Sequence, residues 1–354
     1  MLMIVVLHLY SRGGAMTAIS AAAPRSAAPK LNYAIQLICL GGVNLYGLIS
    51  GYVMLEGSFK PRRFISLWLQ VVFVGLVLNV AAGIVRPDIL SEETWIRAVL
   101  PVSQREYWYF TCYTCVFLLS PVLNRGIRAL TQKQAALLLL GCLFVFAFLS
   151  GVGYSYNGDP FYIVGGYSAL WLIALYVMGA CLKQSGLLQK TKPGKLLLVM
   201  LLCLGIDLIW HYLTLPPILN DSKKTLSKFF NLPLVIFDVC LFTLMTRLEI
   251  RRPTLQKLLK FIAPLTFSVY LITIHPLFWE LQKDSFHFVK NQSVWLSAPI
   301  VLGCGIAIFA LCILADALRN QLFRLCRIDA VCLWAEQRLR SLFDKISQRL
   351  LRWK

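Results

Sequence analysis

The feature that most constrains this chain is a succession of apolar runs, most of them near twenty residues long and almost free of charge. A helix needs ~20 apolar residues to cross the hydrocarbon core of a bilayer. Barrel strands would instead alternate polar and apolar residues over short stretches. In lipid every backbone N–H and C=O must find its partner within the fold, so continuous runs read as helices. The pattern predicts an all-α, polytopic membrane bundle of about ten transmembrane helices, over 1–10, 34–55, 64–84, 107–124, 135–153, 163–182, 196–213, 231–246, 261–279 and 294–318. The breakers stand between them: Pro61, Pro87, Asn124, the stretch from Asn157 to Pro160, Pro193, Pro216 with Pro217, Pro253 and Asn291.

Composition supports the same class. Hydrophobic residues make up 58% of the 354 and charged residues 14%, where a soluble domain carries ~25% charged. A disordered chain, a collagen-like chain and an ordinary soluble enzyme are excluded. The net charge of +19 would suggest nucleic acid on a soluble protein. Here there is no folded basic domain to hold one, and no nucleic-acid partner is expected. The charge instead follows topology. Of 35 Lys and Arg, 24 fall in 56–63, 125–134, 183–195, 247–260 and the tail 319–354, and 11 in 11–33, 85–106, 154–162, 214–230 and 280–293. Cytoplasmic loops collect Lys and Arg, so the first set is expected in the cytoplasm, with both termini, in a multi-pass protein of the cell membrane.

One membrane domain, 1–318, accounts for most of the length. The tail 319–354 sets Leu322, Leu325, Ile328, Leu339, Phe343, Ile346 and Leu350 at helical spacing among arginines and Lys345. It reads as a basic amphipathic helix on an anionic inner leaflet. The stretch Ala15 to Ala28 is the most flexible-looking segment, and there is no internal repeat. The first run is short: ten residues give only about 15 Å of helix. It lacks the basic start of a signal peptide, and a truncated or misassigned start of the first helix is expected. Eleven cysteines are scattered, with one CxxC pair at Cys112 and Cys115. A zinc site needs a second ligand pair close by; small apolar packing is the expected role, and no metal site.

Polar groups within spans are expensive and point to function first. His8 ends an apolar run and could take a proton from a hydroxyl near pH 7; an interfacial histidine is the alternative. Asp207 and His211 share a helix face four residues apart, as a relay or as a solvated pair. Asp238 lies deeper, paired with another helix or facing a wet cavity. His275, before Pro276, is either a second reactive histidine or part of an interfacial belt with Trp279. Ser50-Gly51-Tyr52, with Asn44 two turns upstream, could line a polar cleft or serve close helix packing. Lys60, Arg62 and Arg63 form a basic loop able to hold phosphates, or one that fixes topology. There is no Walker loop, dinucleotide fingerprint, HExxH or GxSxG.

In order along the chain, these pieces resemble the bacterial membrane acyltransferase-3 family. Val5-Val6-Leu7-His8 resembles the end of its first helix with the catalytic histidine. The stretch from Asn44 to Tyr52 resembles its second-helix Ser-Gly-aromatic motif, and Phe59-Lys60-Pro61-Arg62-Arg63-Phe64 the basic loop after it. Tyr107-Trp108-Tyr109-Phe110 and Pro121-Val122-Leu123-Asn124 resemble the two ends of its fourth helix, and Phe267 to Ile272 its late segment. Two departures stand out. The arginine that the family places about three turns before the histidine is absent, and Thr273 occupies a position where histidine is common, with His275 two residues on.

The resemblance implies transfer of an acyl group, usually acetyl, from a cytoplasmic acyl-CoA to a hydroxyl of an envelope glycan. Acyl-CoA is then a co-substrate, and no bound cofactor is expected. The implied catalytic residues are His8 and His275. Arg62 and Arg63 would hold the donor, and Asn44, Ser50, Tyr52, Trp108, Asn124 and Tyr270 would shape the pocket. The competing readings are a lipid-linked-glycan flippase or transporter, with Asp207, Asp238 and the histidines along its path, and a non-catalytic membrane partner. A glycan polymerase would usually carry a larger outer loop.

Overall fold

The computed structural model describes residues 1–22, 26–156, 158–213 and 221–351. Asn157, Pro216 and Pro217, expected as breakers, lie outside them. Among the described residues all regular structure is helical. The α-helices are α1 Leu2–Ser11, α2 Ala15–Ala22, α3 Ala27–Leu40, α4 Gly42–Met54, α5 Pro61–Val85, α6 Glu92–Val99, α7 Trp108–Arg128, α8 Gln132–Cys142, α9 Ser150–Tyr156 and α10 Ala169–Ser185. They continue as α11 Pro193–Tyr212, α12 Leu232–Thr246, α13 Pro253–Ile262, α14 Thr266–Ile274, α15 Pro276–Gln282, α16 Val294–Leu325 and α17 Ile328–Leu351.

Each of the ten expected spans overlaps a helix. Six helical stretches among the described residues are long and apolar enough to cross a bilayer on their own, and a seventh forms if α1 and α2, bent by 50°, count as one. The short α10 and α12 are apolar but below that length. The ninth expected span is in pieces: α13 and α14 meet across a 3-10 turn at Ala263–Leu265, and His275-Pro276 breaks off α15. The Ala-rich segment expected to be flexible is mostly ordered, in α2 and the start of α3. The tail does not begin a new element at 319, because α16 runs on to Leu325. Its second half, α17, packs on α5 and buries Cys332 and Glu336.

The outside of the bundle is apolar. On α11, Leu197, Leu198, Leu201, Leu202, Ile206 and Ile209 are all exposed, a stripe that suits lipid and would drive association in water. The tightest contact inside is between α4 and α10. A Cβ on Gly51 would run into the backbone carbonyl of Tyr176, and one on Gly179 into that of Leu48. Two glycines thus let the two backbones touch. Asn124 on α7 closes this junction, donating to the Met54 carbonyl at 2.8 Å and accepting from the Tyr176 hydroxyl at 2.7 Å. Met54 ends α4, so its carbonyl is one that the helix itself leaves unpaired.

Several buried polar groups are tied into sets that join helices, although Asp238 Oδ1 has no partner among the described residues. Asn44 donates to Asp238 at 2.8 Å and to the Phe229 carbonyl at 2.8 Å, and accepts from the Trp171 indole at 3.2 Å. Asp207 accepts from Asn231 through both oxygens, at 2.9 and 3.0 Å. Gln70 donates to Ser268 at 2.7 Å, Ser268 donates to Asp316, and Arg319 clamps Asp316 at 2.5 and 2.9 Å. Each set ties two or more helices together where an unpaired polar group would be costly.

Candidate active site

A cavity of about 620 Å³ opens beside α1. Its first wall is a helical stripe of α1, comprising Ile4, Leu7, His8 and Ser11. A second stripe comes from α3, with Tyr33, Gln36, Leu37 and Leu40 at the same three-and-four spacing. Val43 and Tyr46 of α4 continue the floor, and Trp108 and Tyr109 open α7 on the far side. Leu226, Ser227 and Phe229 come from the segment before α12. Tyr270 of α14 and Trp279 with Glu280 of α15 complete the enclosure. From Ser11 to Ile4 the cavity follows α1 for about 10 Å, two turns.

A knot of backbone and side chains sets the rim. Asp284 and Phe286 donate their N–H groups to the carbonyls of Arg12 at 3.1 Å and Gly13 at 2.8 Å. Gly14, with φ +76°, allows the bend; a Cβ there would sit 2.6 Å from the His287 ring. Arg12 donates to the Trp279 carbonyl at 3.1 Å and to Glu280 at 2.5 Å. The loop after α15 is thereby pinned to the end of α1. Trp279 comes to rest edge-on to His8, with ring centroids 5.3 Å apart.

His8 is 8% exposed. Its Nδ1 is buried and has no hydrogen-bond partner among the described residues. A buried ring nitrogen left so is unusual, and this one belongs to a side chain in a cavity wall. Opposite, the Tyr270 hydroxyl accepts from the Tyr109 N–H at 3.1 Å. That N–H belongs to the first turn of α7 and has no partner in its own helix. The bond fixes both tyrosines against the cavity. Trp108 stacks on Phe229 at 6.0 Å and leans on Tyr167 at 4.7 Å, extending the aromatic wall.

The structure therefore brings His8, Trp108 and Tyr270 to one cavity. The other expected site residues lie elsewhere. His275 is buried at the start of α15, where its Nδ1 accepts from the Leu277 N–H at 3.3 Å and its Nε2 lies 3.2 Å from the Asn79 side-chain oxygen. Asn44 sits behind the wall and holds the Phe229 carbonyl. Ser50 donates to the Tyr46 carbonyl at 2.8 Å, and Tyr52 packs against Phe242 with Lys183 over its ring at 5.1 Å. Asn124 is at the α4–α10 junction. Arg62 and Arg63 are exposed at the first turn of α5, and neither guanidinium has a partner among the described residues. A helix N-terminus with two cations is suited to an anion.

Asp207 and His211 are not a solvated pair. Asp207 is buried on Asn231, while His211 stacks on Tyr33 with centroids 3.9 Å apart. Asp238, like Asp207, stays out of the cavity wall. Sequence reasoning missed the α3 stripe, Tyr46, Tyr167 and Glu280. The α3 stripe had a signal, the spacing of Tyr33, Gln36, Leu37 and Leu40. Tyr167, before α10, and Glu280, on the short α15, come from distant parts of the chain and had none.

Among the described residues no cluster of His, Cys, Asp or Glu is disposed to hold a metal, and Cys112 and Cys115 are free. No curated protein and no solved structure gives a match to this chain. A family model described as an acyltransferase domain matches residues 1–317 of 354. The matched segment takes in every helix that lines the cavity, and its apolar helices are those of a multi-pass membrane protein; the chain belongs to the membrane acyltransferase-3 family.

Proposed function

We propose that this membrane acyltransferase moves an acetyl group from cytoplasmic acetyl-CoA to a hydroxyl of a cell-envelope carbohydrate. It works in the cell membrane, with ten crossings and both termini in the cytoplasm. The observation that carries this reading is His8, whose buried Nδ1 has no hydrogen-bond partner among the described residues and whose side chain lines a 620 Å³ cavity walled by aromatic side chains. That volume suits a small ligand. Flat Trp and Tyr faces match the C–H faces of a sugar ring, and Gln36, Ser227 and Glu280 offer it hydrogen bonds.

His8 acts as general base. As the acceptor oxygen attacks the thioester carbonyl, the imidazole takes the hydroxyl proton. The C–O bond forms, the C–S bond breaks, and the departing thiolate takes the proton from the imidazolium. A placed imidazole contributes roughly 10²–10⁴-fold to such a step. Arg62 and Arg63, at the opposite end of the bundle, hold the donor's phosphates at the N-terminus of α5. His275 enters as a positioning residue: it caps the helix that carries Trp279 and Glu280. A transport path along Asp207 and Asp238 gains no support, since each is bonded to an asparagine and neither lines the 620 Å³ cavity.

The test supplies membranes containing the chain with acetyl-labelled acetyl-CoA and envelope glycans, and follows alkali-labile label on carbohydrate. Label that depends on His8 is the expected result. Equal label with His8→Ala would remove the histidine from the mechanism, and glycan movement without label would replace transfer by transport.

A further inference from the structure

A second recess, of about 270 Å³, lies at the other end of the bundle, between the α13–α14 junction and the last turns of α16. Pro264, Leu265 and Ala317 form its floor, and Lys260 and Arg324 its rim, with Asn320 and Gln321 beside them. The recess belongs neither to the acyl-transfer cavity nor to the donor loop at Arg62 and Arg63.

Its electrostatics are one-sided. Neither Lys260 nor Arg324 has a carboxylate partner among the described residues. Asp316, on the same helix as Arg324, is taken by Arg319 at 2.5 Å, and no carboxylate is among the residues that line the recess. Two cations facing one small apolar-floored recess repel each other and favour a shared anion. The surroundings indicate what that anion is attached to. The helix carrying Lys260, α13, has no buried residue. It exposes Leu255, Leu258, Leu259 and Phe261 together with Lys257 and Lys260, which is the make-up of a helix lying in a bilayer interface. From the recess, Leu318, Leu314 and Leu311 run up the outside of α16 at spacings of four and three, 75%, 61% and 65% exposed. Arg324 to Leu311 covers about 20 Å of helix, so charge at headgroup level continues into an acyl-length apolar track.

We infer that this recess binds the phosphate of an anionic phospholipid from the adjoining leaflet, with an acyl chain along Leu318, Leu314 and Leu311. Lys260 supplies a point charge, and Arg324 a forked donor that can take two phosphate oxygens. The Asn320 and Gln321 amides serve the remaining headgroup oxygens. A soluble phosphate would use only the rim and leave the leucine track without a role.

The test is native mass spectrometry of the full chain purified into micelles, offered equimolar phosphatidylglycerol and phosphatidylcholine with the same acyl chains. Wild type is expected to retain phosphatidylglycerol preferentially. The pair Lys260→Ala with Arg324→Ala should lower that preference roughly tenfold, from two basic contacts. The swap Lys260→Arg with Arg324→Lys should restore most of it, which separates lost charge from lost fold. Arg125→Ala with Lys133→Ala removes two exposed cations outside the recess and should leave the preference unchanged. An unchanged preference in the first pair, or an equal loss in the second, would overturn the inference. Competition with glycerol phosphate distinguishes the source: displacement of the lipid at equal concentration would mean that the rim binds free phosphate and the leucine track does nothing.

Discussion

His8 and His275 are both nearly buried, both near the same end of the bundle, and both set beside α15. Their surroundings differ. His275 spends its ring on structure: one nitrogen caps α15 and the other lies on Asn79. The His8 ring spends nothing on structure and faces an aromatic cavity. Asn44 with Asp238 lies between the two: the amide bonds one carboxylate oxygen, the other oxygen has no partner among the described residues, and the pair lines no part of the His8 cavity. Burial alone does not mark a reactive site in a membrane bundle. A partnerless buried polar group that also stands in a cavity wall is the better mark: Asp238 Oδ1 and the Tyr107 hydroxyl lack partners too, yet neither residue lines the cavity.

The contrast can be broken most directly by assaying His8→Ala beside His275→Ala. Loss of transfer by roughly 10²–10⁴-fold is expected for the first, while the second keeps most of its activity; equal losses would erase the distinction. Next comes the Asn44 set. Asn44→Ala strips partners from Asp238, the Phe229 carbonyl and the Trp171 indole at once. Roughly 2–4 kcal/mol of stability should go, read as a lower denaturant midpoint of the purified protein. A midpoint unmoved from wild type would show that the network is not structural.

A smaller effect falls at the donor loop. Arg62→Ala with Arg63→Ala should raise the KM for acetyl-CoA about tenfold and leave that for the glycan alone; a shift in both would reduce the loop to a topology signal. The smallest is the stability cost of His275→Ala, roughly 1 kcal/mol for a lost cap. His275→Asn, which keeps a capping side chain, should recover it, and failure to do so would place the cost on the Asn79 contact instead.

The helices were legible because each is a local property of the chain. A run such as 64–84 is apolar throughout, and α5 covers it from Pro61 to Val85. His8 was legible too, as the rare ionisable group in an apolar run, and Trp108 and Tyr270 through their place in family-like motifs. Ser50, Tyr52 and Asn124 were read from the same motifs, yet Ser50 bonds back within α4, Tyr52 packs on Phe242 and Asn124 closes the α4–α10–α7 junction. A motif names residues that belong together without saying whether they face each other or a ligand.

By itself the sequence determined the class, an all-helical bundle with apolar helices of spanning length, since hydropathy and helix rise are set residue by residue. It also determined the bias of Lys and Arg toward alternate loops. Only the tertiary structure decided which polar groups have partners. The mate of Asp238 is Asn44, 194 positions away in the chain, and Trp279 reaches His8 through a loop pinned by Arg12. Hydrogen bonds are short-ranged and directional, so partners so far apart in the chain are fixed only when the helices pack. That packing closes most of the polar sets and leaves the His8 cavity open.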